Sequence, residues 1–261
     1  SDNDLRPTTA GVSMELPELT HAYGTSPNPG EHFGRSVAVG DFNGDGFKDL
    51  AVGSPGETVN GYEDAGAVTL LFGDENGPYA SALTRTISQA TPGLNGQANE
   101  GDLFGFSLAA GDFNGDGKDD LAIGAPGESI EADELDEVGI VHVLYGVNHG
   151  LSMSTDVILR QGADGAAGLS EEGDQFGWAL TTGDFNNDGR DDLGVGIPFE
   201  DHNATGKQDG GAVHVFFGSG SGLTTANDVT FHQDSSNMLG STGAGDEYGY
   251  SLATGDSNCD G

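Results

Sequence analysis

Residues 103–128 read LFGFSLAAGDFNGDGKDDLAIGAPGE, and this stretch decides the fold because it recurs along the chain. Related stretches are HFGRSVAVGDFNGDGFKDLAVGSPGE at 32–57 and QFGWALTTGDFNNDGRDDLGVGIPFE at 175–200, and a fourth, EYGYSLATGDSNCDG, occupies 247–261. The acidic segments begin at Asp41, Asp112, Asp184 and Asp256, at intervals of 71, 72 and 72 residues. Self-similarity at a fixed period indicates a repeat architecture.

Each repeat is predicted to contain four β-strands. A short alternating run such as 36–39 precedes the acidic segment, and an apolar run such as 120–124 follows it and ends at a Gly-x-Pro breaker. A third strand is predicted at 67–72, 140–145 and 212–217, and a fourth at 84–89, 157–161 and 229–233. Four antiparallel strands per repeat predict an all-β chain that forms a β-propeller of four-stranded blades, of which about 4–8 normally close a ring.

The repeats also define the domain organisation. We predict one propeller domain, 1–261, that is incomplete at its C-terminus, since only about three and a quarter repeats are present. Residues 13–32, with a strand at Pro17–His21, are expected to complete the last blade of the ring. The repeats themselves are placed at 33–103, 104–175, 176–247 and, for the start of the fourth, 248–261.

The acidic segments have the composition of calcium loops. Oxygen-bearing side chains stand at loop positions one, three, five and nine, a glycine at position six permits the positive φ of a tight turn, and the carbonyl of position seven can point inward. Hard oxygen ligands favour Ca²⁺ over transition metals, and Mg²⁺ is disfavoured because it retains its waters and requires stricter octahedral geometry. The predicted ligands are Asp41, Asn43, Asp45, Phe47 and Asp49; Asp112, Asn114, Asp116, Lys118 and Asp120; Asp184, Asn186, Asp188, Arg190 and Asp192; and, in the loop that is cut short, Asp256, Asn258 and Asp260.

The residues disfavour two other interpretations of these loops. An EF-hand needs an acidic ligand at position twelve between two helices, and position twelve is Val52, Ile123 or Val195 within a predicted strand. A metal-free Asp/Asn/Gly turn is common in hairpins, but it does not account for the position-nine aspartate of all three complete loops. Three carboxylates in one turn would also repel each other without a cation. We therefore predict bound calcium, acting as a staple rather than a switch because the ligands are local to one hairpin.

Composition excludes several partners. The chain has 8 basic and 43 acidic residues, a net charge of 8 − 43 = −35, which is repelled by nucleic acid and by anionic membrane surfaces. No stretch approaches the ~20 apolar residues of a membrane span, so no membrane insertion is expected. Hydrophobic residues make up 34% of the chain, which favours a packed core over disorder.

Other recurrent residues are interpreted as structural. His142 and His214 occupy equivalent third-strand positions, and the long acidic loops that contain Glu128 and Glu200 are expected to be solvated. The residues that follow the Phe-Gly or Tyr-Gly pairs could stack on sugars, but we favour packing between blades. They are Arg35, Phe106, Trp178 and Tyr250. No nucleophile elbow, cysteine nucleophile or zinc-spaced histidine cluster is present in the sequence, so an enzyme is not predicted.

The motif from Phe104-Gly105 through the acidic loop to Gly124-Ala125-Pro126 resembles the FG-GAP repeat of the integrin α-subunit propeller. The third-strand segments VHVLYGVNHGLS and GAVHVFFGSGSGL are more similar to those of secreted bacterial members. The resemblance implies a propeller, usually seven-bladed, with calcium loops on one face and a ligand on the opposite face. Departures from the pattern are Ser54 and Ile197 for alanine, Tyr248 for phenylalanine and Cys259 for a loop glycine.

The resemblance also implies a function. We expect an extracellular or cell-surface calcium-binding module that takes part in adhesion by binding a protein or carbohydrate partner. Two alternatives stay open: an ancillary propeller domain of a larger secreted enzyme, and a lectin with sugar pockets between its blades.

Overall fold

The computed structural model describes residues 30–75, 84–130, 135–201, 208–236 and 238–255, and within these ranges the chain is all β with no helix. Twelve strands form three four-stranded antiparallel sheets, one per repeat, each in chain order from first to fourth strand. The first sheet contains β1 (Ser36–Gly40), β2 (Asp49–Ser54), β3 (Ala67–Leu71) and β4 (Thr84–Ile87). The second contains β5 (Ser107–Gly111), β6 (Asp120–Ala125), β7 (Ile140–Leu144) and β10 (Val157–Leu159), and the third contains β11 (Ala179–Gly183), β12 (Asp192–Ile197), β13 (Ala212–Phe217) and β14 (Thr224–Phe231).

The all-β fold and the four-stranded antiparallel blades are therefore confirmed. The sheets follow one another through their first strands, β1 packing on β5 and β5 on β11, and the described part of the chain does not close into a ring. The seven-blade total and the repeat boundaries stay predictions. The predicted closing strand within 13–32 and the fourth acidic loop from Asp256 lie outside the described residues, apart from 30–32.

The hydrophobic core lies between neighbouring sheets. One cluster joins Phe42 and Leu70 of the first repeat to Phe104 and Leu121 of the second, and another joins residues of the second and third repeats. Every residue of β6 and of β12 is buried, which explains why the second strands are continuous apolar runs rather than alternating ones. Neighbouring blades thus share their buried apolar cores, as expected of a repeat protein.

The paired glycines of the motif permit this close approach. A Cβ on Gly53 would overlap the carbonyl oxygen of Gly105 in the next repeat, and a Cβ on Gly124 would overlap that of Gly177. The same carbonyl oxygen of Gly105 accepts a hydrogen bond of 2.7 Å from the Ser36 hydroxyl. The Phe-Gly pair of one repeat therefore packs directly on the Gly-x-Pro segment of the repeat before it.

The fourth strands differ most from the sequence prediction. The strand predicted at 157–161 is only Val157–Leu159, while the one predicted at 229–233 begins earlier and spans Thr224–Phe231. A register irregularity between Val215 and Phe217 accompanies the longer strand. The second repeat also contains a short hairpin that was not predicted, β8 (Gly146–Val147) with β9 (Gly150–Leu151). The fourth strand is the edge strand of each sheet and pairs on one side only, so its ends are poorly specified.

Candidate metal centre

The three complete acidic loops connect the first and second strands of each sheet. The glycine that ends the first strand lies opposite the aspartate that begins the second, at Gly40 and Asp49, Gly111 and Asp120, and Gly183 and Asp192. The loops therefore lie at the same end of all three sheets. Every hairpin begins and closes at the same register, so the predicted ligands occupy equivalent places in each blade.

The position-one aspartate organises each loop. In the first loop the two carboxylate oxygens of Asp41 accept hydrogen bonds from the backbone N–H groups of Asp45 at 3.1 Å and Gly46 at 2.8 Å. Gly46 has a φ of 91°, which confirms the left-handed turn predicted at position six. The other two loops repeat both bonds, from Asp116 and Gly117 to Asp112 and from Asp188 and Gly189 to Asp184.

The side chains at positions three and five also turn towards the loop backbone. The Asn43 amide oxygen accepts a hydrogen bond from the Asp45 N–H at 2.8 Å, and the Asp45 carboxylate accepts one from the Phe47 N–H at 2.9 Å. The second loop is the same, with Asn114, Asp116 and Lys118 in these roles. In the third loop the Asn186 amide instead donates to Asp192 at 3.4 Å.

The position-nine aspartate is buried and accepts hydrogen bonds from two backbone N–H groups. One oxygen of Asp49 accepts the Phe42 N–H at 3.0 Å, and the other accepts the Gly73 N–H at 2.8 Å, just after the third strand. Asp120 and Asp192 make the same pair of bonds. This aspartate therefore ties the loop to the third strand, a role that the loop sequence alone does not reveal.

The electrostatics of the loops favour a cation. Burial raises the pKa of Asp49 to about 6 and that of Asp120 to about 7, and repulsion from the carboxylates at positions one and five adds to the rise. The backbone donors oppose this effect by lowering the pKa. Basic side chains offset part of this charge at position five, where Lys118 is 3.6 Å from Asp116 and Arg190 is 3.6 Å from Asp188.

The donor chemistry of the loops fits a hard divalent cation. Carboxylate, amide and main-chain carbonyl oxygens are the ligands that Ca²⁺ prefers. Within the described ranges, no three Asp, Glu, His or Cys side chains converge as a metal centre. The predicted set depends on amide and carbonyl oxygens as well as carboxylates. A carboxylate oxygen that accepts one N–H retains a further lone pair for a metal.

At the opposite end of the first strands, side chains from successive repeats form an aromatic row. Phe106 and Trp178 have ring centroids 4.6 Å apart, and Trp178 and Tyr250 are 5.2 Å apart. The Arg35 guanidinium lies 4.2 Å from the centre of the Phe106 ring. The predicted packing between blades is confirmed. The row retains a solvent-facing side, since Arg35 is exposed and Tyr250 is 49% exposed.

Two buried His–Asp pairs were missed in the sequence. His142 lies 3.0 Å from Asp156 through Nδ1, and His214 lies 2.6 Å from Asp228 through Nε2. Each aspartate also accepts a backbone N–H from the preceding repeat, from Asn95 in the first case. The constant 14-residue spacing between histidine and aspartate was the signal that could have revealed these inter-blade contacts.

Two acidic residues of the loops that were expected to be solvated also contact the neighbouring repeat. Glu128 accepts a hydrogen bond of 2.6 Å from the Gln89 amide, and Glu200 accepts one of 2.7 Å from Gln161. Both glutamates are partly exposed, so the start of each acidic loop contacts the preceding blade as well as solvent. Among the other acids of the second-repeat loop, 131–134 lie outside the described residues.

Comparison with known proteins identifies the repeat. The family model "FG-GAP repeat" matches residues 33–71, 104–144 and 176–216. Over 73% of this chain the sequence is 32% identical to phosphatidylinositol-glycan-specific phospholipase D of Bos taurus, and over 74% it is 33% identical to integrin alpha-5 of Xenopus laevis. The chain spans about a fifth of the length of these relatives, 21% and 16% respectively. Among solved structures, a rhamnogalacturonan lyase of Bacillus licheniformis matches 77% of this chain and 34% of its own with a TM-score of 0.44 and 13% identity.

Proposed function

This chain belongs to the FG-GAP repeat family, and we propose that it is an extracellular binding module whose complete loops each hold one structural Ca²⁺ ion. The observation that carries the proposal is the geometry of the loops. In all three, the position-one carboxylate accepts the N–H groups of positions five and six, so the loop backbone is already folded around the carboxylates. Bound calcium would supply positive charge where acidic side chains repel one another. It would connect the turn to the base of its hairpin.

The partner is proposed to bind at the end of the sheets away from these loops. The row formed by Arg35, Phe106, Trp178 and Tyr250 lies there, and it offers aromatic faces with one cationic group. Aromatic faces suit either a protein side chain or the apolar face of a sugar ring. A protein or carbohydrate ligand is therefore supported by this surface. An extracellular location supports the calcium role because free calcium is abundant there, and sites of millimolar affinity suffice in extracellular modules.

Isothermal titration calorimetry with calcium tests the metal proposal. The wild-type chain is expected to bind at least three ions, and Asp45→Ala is expected to bind one fewer, because it removes position five of the first loop. Glu100→Gln is a matched control, since it removes one negative charge from an exposed site outside the loops. Absence of calcium binding by the wild-type chain would refute the proposal.

A glycan array, run with calcium and with a chelator, tests the carbohydrate alternative. Binding that is lost in Trp178→Ala but retained in Glu100→Gln would assign a sugar to the aromatic row. A blank array would leave a protein partner as the ligand class.

The second candidate is an ancillary domain of a larger secreted enzyme. It is favoured by the phospholipase D relative, in which the matched region is about a fifth of the protein. Sequencing the parent gene on both sides of the region that encodes residues 1–261 distinguishes the two candidate functions. An adjoining catalytic domain supports the ancillary role, and further FG-GAP repeats alone support the binding module.

A further inference from the structure

Neighbouring acidic loops touch each other through main-chain and side-chain contacts. Asp119, at position eight of the second loop, holds both backbone polar groups of Asp41, at position one of the first loop. The Asp119 N–H donates to the Asp41 carbonyl oxygen at 3.1 Å, and its Oδ2 accepts the Asp41 N–H at 2.6 Å. The two residues are 78 positions apart in the sequence, so this contact joins separate blades.

The same pair of hydrogen bonds, which we call the clasp, recurs between the second and third loops. The Asp191 N–H donates to the Asp112 carbonyl oxygen at 3.2 Å, and Asp191 Oδ2 accepts the Asp112 N–H at 2.9 Å. Two interfaces with the same four atoms in the same roles indicate a built-in feature of the repeat.

The clasp connects the predicted ligands of one loop to those of the next. The carboxylate of Asp41 accepts the backbone N–H groups of Asp45 and Gly46 and so stabilises the turn of the first loop. Asp119 lies between Lys118 and Asp120, two predicted ligands of the second loop. Any ordering of 118–120 by a metal ion therefore fixes Asp119, and through it the backbone of Asp41.

Side-chain packing adds to the connection. A Cβ on Gly44 of the first loop would lie 3.0 Å from Cγ of Lys118, so the Lys118 stem covers that glycine. Arg190 covers Gly115 in the same way, with its Nε 3.1 Å from such a Cβ. Lys48 reaches across from the first loop to Asp119, with Nζ and Oδ2 2.6 Å apart.

We propose that Asp119 and Asp191 are positioning residues that couple neighbouring calcium sites, so that an ion in one loop strengthens binding in the loop before it. The inference rests on the proposed calcium function. Because coupling between two binding sites is reciprocal, an ion in the first loop strengthens binding in the second by the same factor. Calcium would then bind along the row of blades with positive cooperativity.

A double-mutant cycle read by NMR tests the coupling. The Gly46, Gly117 and Gly189 backbone amides report the three loops separately during a calcium titration. Asp116→Ala disables the second loop, and in the wild-type background it is expected to weaken calcium binding at Gly46 by about fivefold or more. In an Asp119→Ala background the same change is expected to have a clearly smaller effect. The electrostatic effect of losing the Asp116 charge on calcium affinity at the first loop is the same in both backgrounds, so it cancels from the comparison.

The outcomes separate the two proposals. If Asp116→Ala weakens the first loop by the same factor with and without Asp119, the coupling is refuted while the calcium function stands. If no glycine amide of the wild-type chain responds to calcium, the calcium function itself fails. Glu100→Ala, which removes one exposed charge elsewhere, is expected to leave the coupling intact. Should Asp119→Ala fail to fold, Asp191→Ala with Asp188→Ala provides the same cycle at the next interface, with Gly117 as reporter.

Discussion

The two aspartates at positions five and nine of a loop should respond differently to substitution. Asp120 is buried and accepts the Phe113 N–H at 3.0 Å and the Gly146 N–H at 2.8 Å, whereas Asp116 is exposed. We predict that Asp120→Ala is less stable than Asp120→Asn even in a chelator, because both variants lack the buried charge and only asparagine keeps an acceptor. We predict that Asp116→Ala destabilises it only when calcium is present.

The magnitudes follow from these contacts. The asparagine retains one carbonyl oxygen as an acceptor but presents its NH₂ group to the other backbone donor. Alanine removes that acceptor as well, so a further buried N–H is left without a partner, and Asp120→Ala is expected to be less stable than Asp120→Asn by about 2 kcal/mol. Asp116→Ala is expected to cost less than about 0.5 kcal/mol in chelator, as is usual for an exposed site. With free calcium at about 100 times the dissociation constant, it forfeits the ~2.7 kcal/mol that one bound ion contributes.

Urea unfolding at pH 8, followed by fluorescence of the single tryptophan, Trp178, measures both effects. The pKa of Asp120 is raised to about 7, so wild type at this pH carries a buried charge that neither variant has, and the two variants are compared with each other. Equal stability of Asp120→Ala and Asp120→Asn in chelator would refute the structural role of position nine. An equal loss for Asp116→Ala with and without calcium would refute its role as a ligand.

Two further predictions concern the contacts between blades. Gly124→Ala is expected to lower the unfolding free energy by about 1–3 kcal/mol, because its Cβ would overlap the Gly177 carbonyl oxygen. Gly220→Ala is the control, since nothing lies within 4 Å of a Cβ at that position. Equal denaturation midpoints for the two variants would contradict the packing argument. Burial, with repulsion from Glu200, raises the pKa of Asp174 to about 8, so the folded state binds this proton more tightly than the unfolded state. The stabilisation from this proton is complete below about pH 4 and is lost as the pH rises through about 8. Chemical denaturation from pH 4 to 9 should therefore show the stability of wild type falling relative to Asp174→Asn. A constant difference in stability between the two proteins would refute the raised pKa of Asp174.

The sequence predicts the repeated elements well because each is specified locally. The turn at Gly46 depends on glycine at one position, and the second strands depend on continuous apolar runs. The inter-blade contacts could not be predicted in the same way. Asp49 accepts the Gly73 N–H because that backbone N–H has no partner within the sheet where the third strand ends. The loop sequence does not indicate which N–H this is. The clasp between Asp119 and Asp41 depends on the distance between blades, which only the packed core determines.

The position-nine contacts also bear on how calcium stabilises the fold. Asp49, Asp120 and Asp192 each connect their loop to the third strand through two backbone hydrogen bonds without involving a metal. The hairpins are thus closed by the chain itself, and the cores between sheets depend on apolar packing. Calcium is then expected to add an increment per loop to a blade that already folds, in contrast to small zinc domains that are unfolded without metal. We expect these increments to reinforce one another, because Asp119 and Asp191 join the backbones of neighbouring loops.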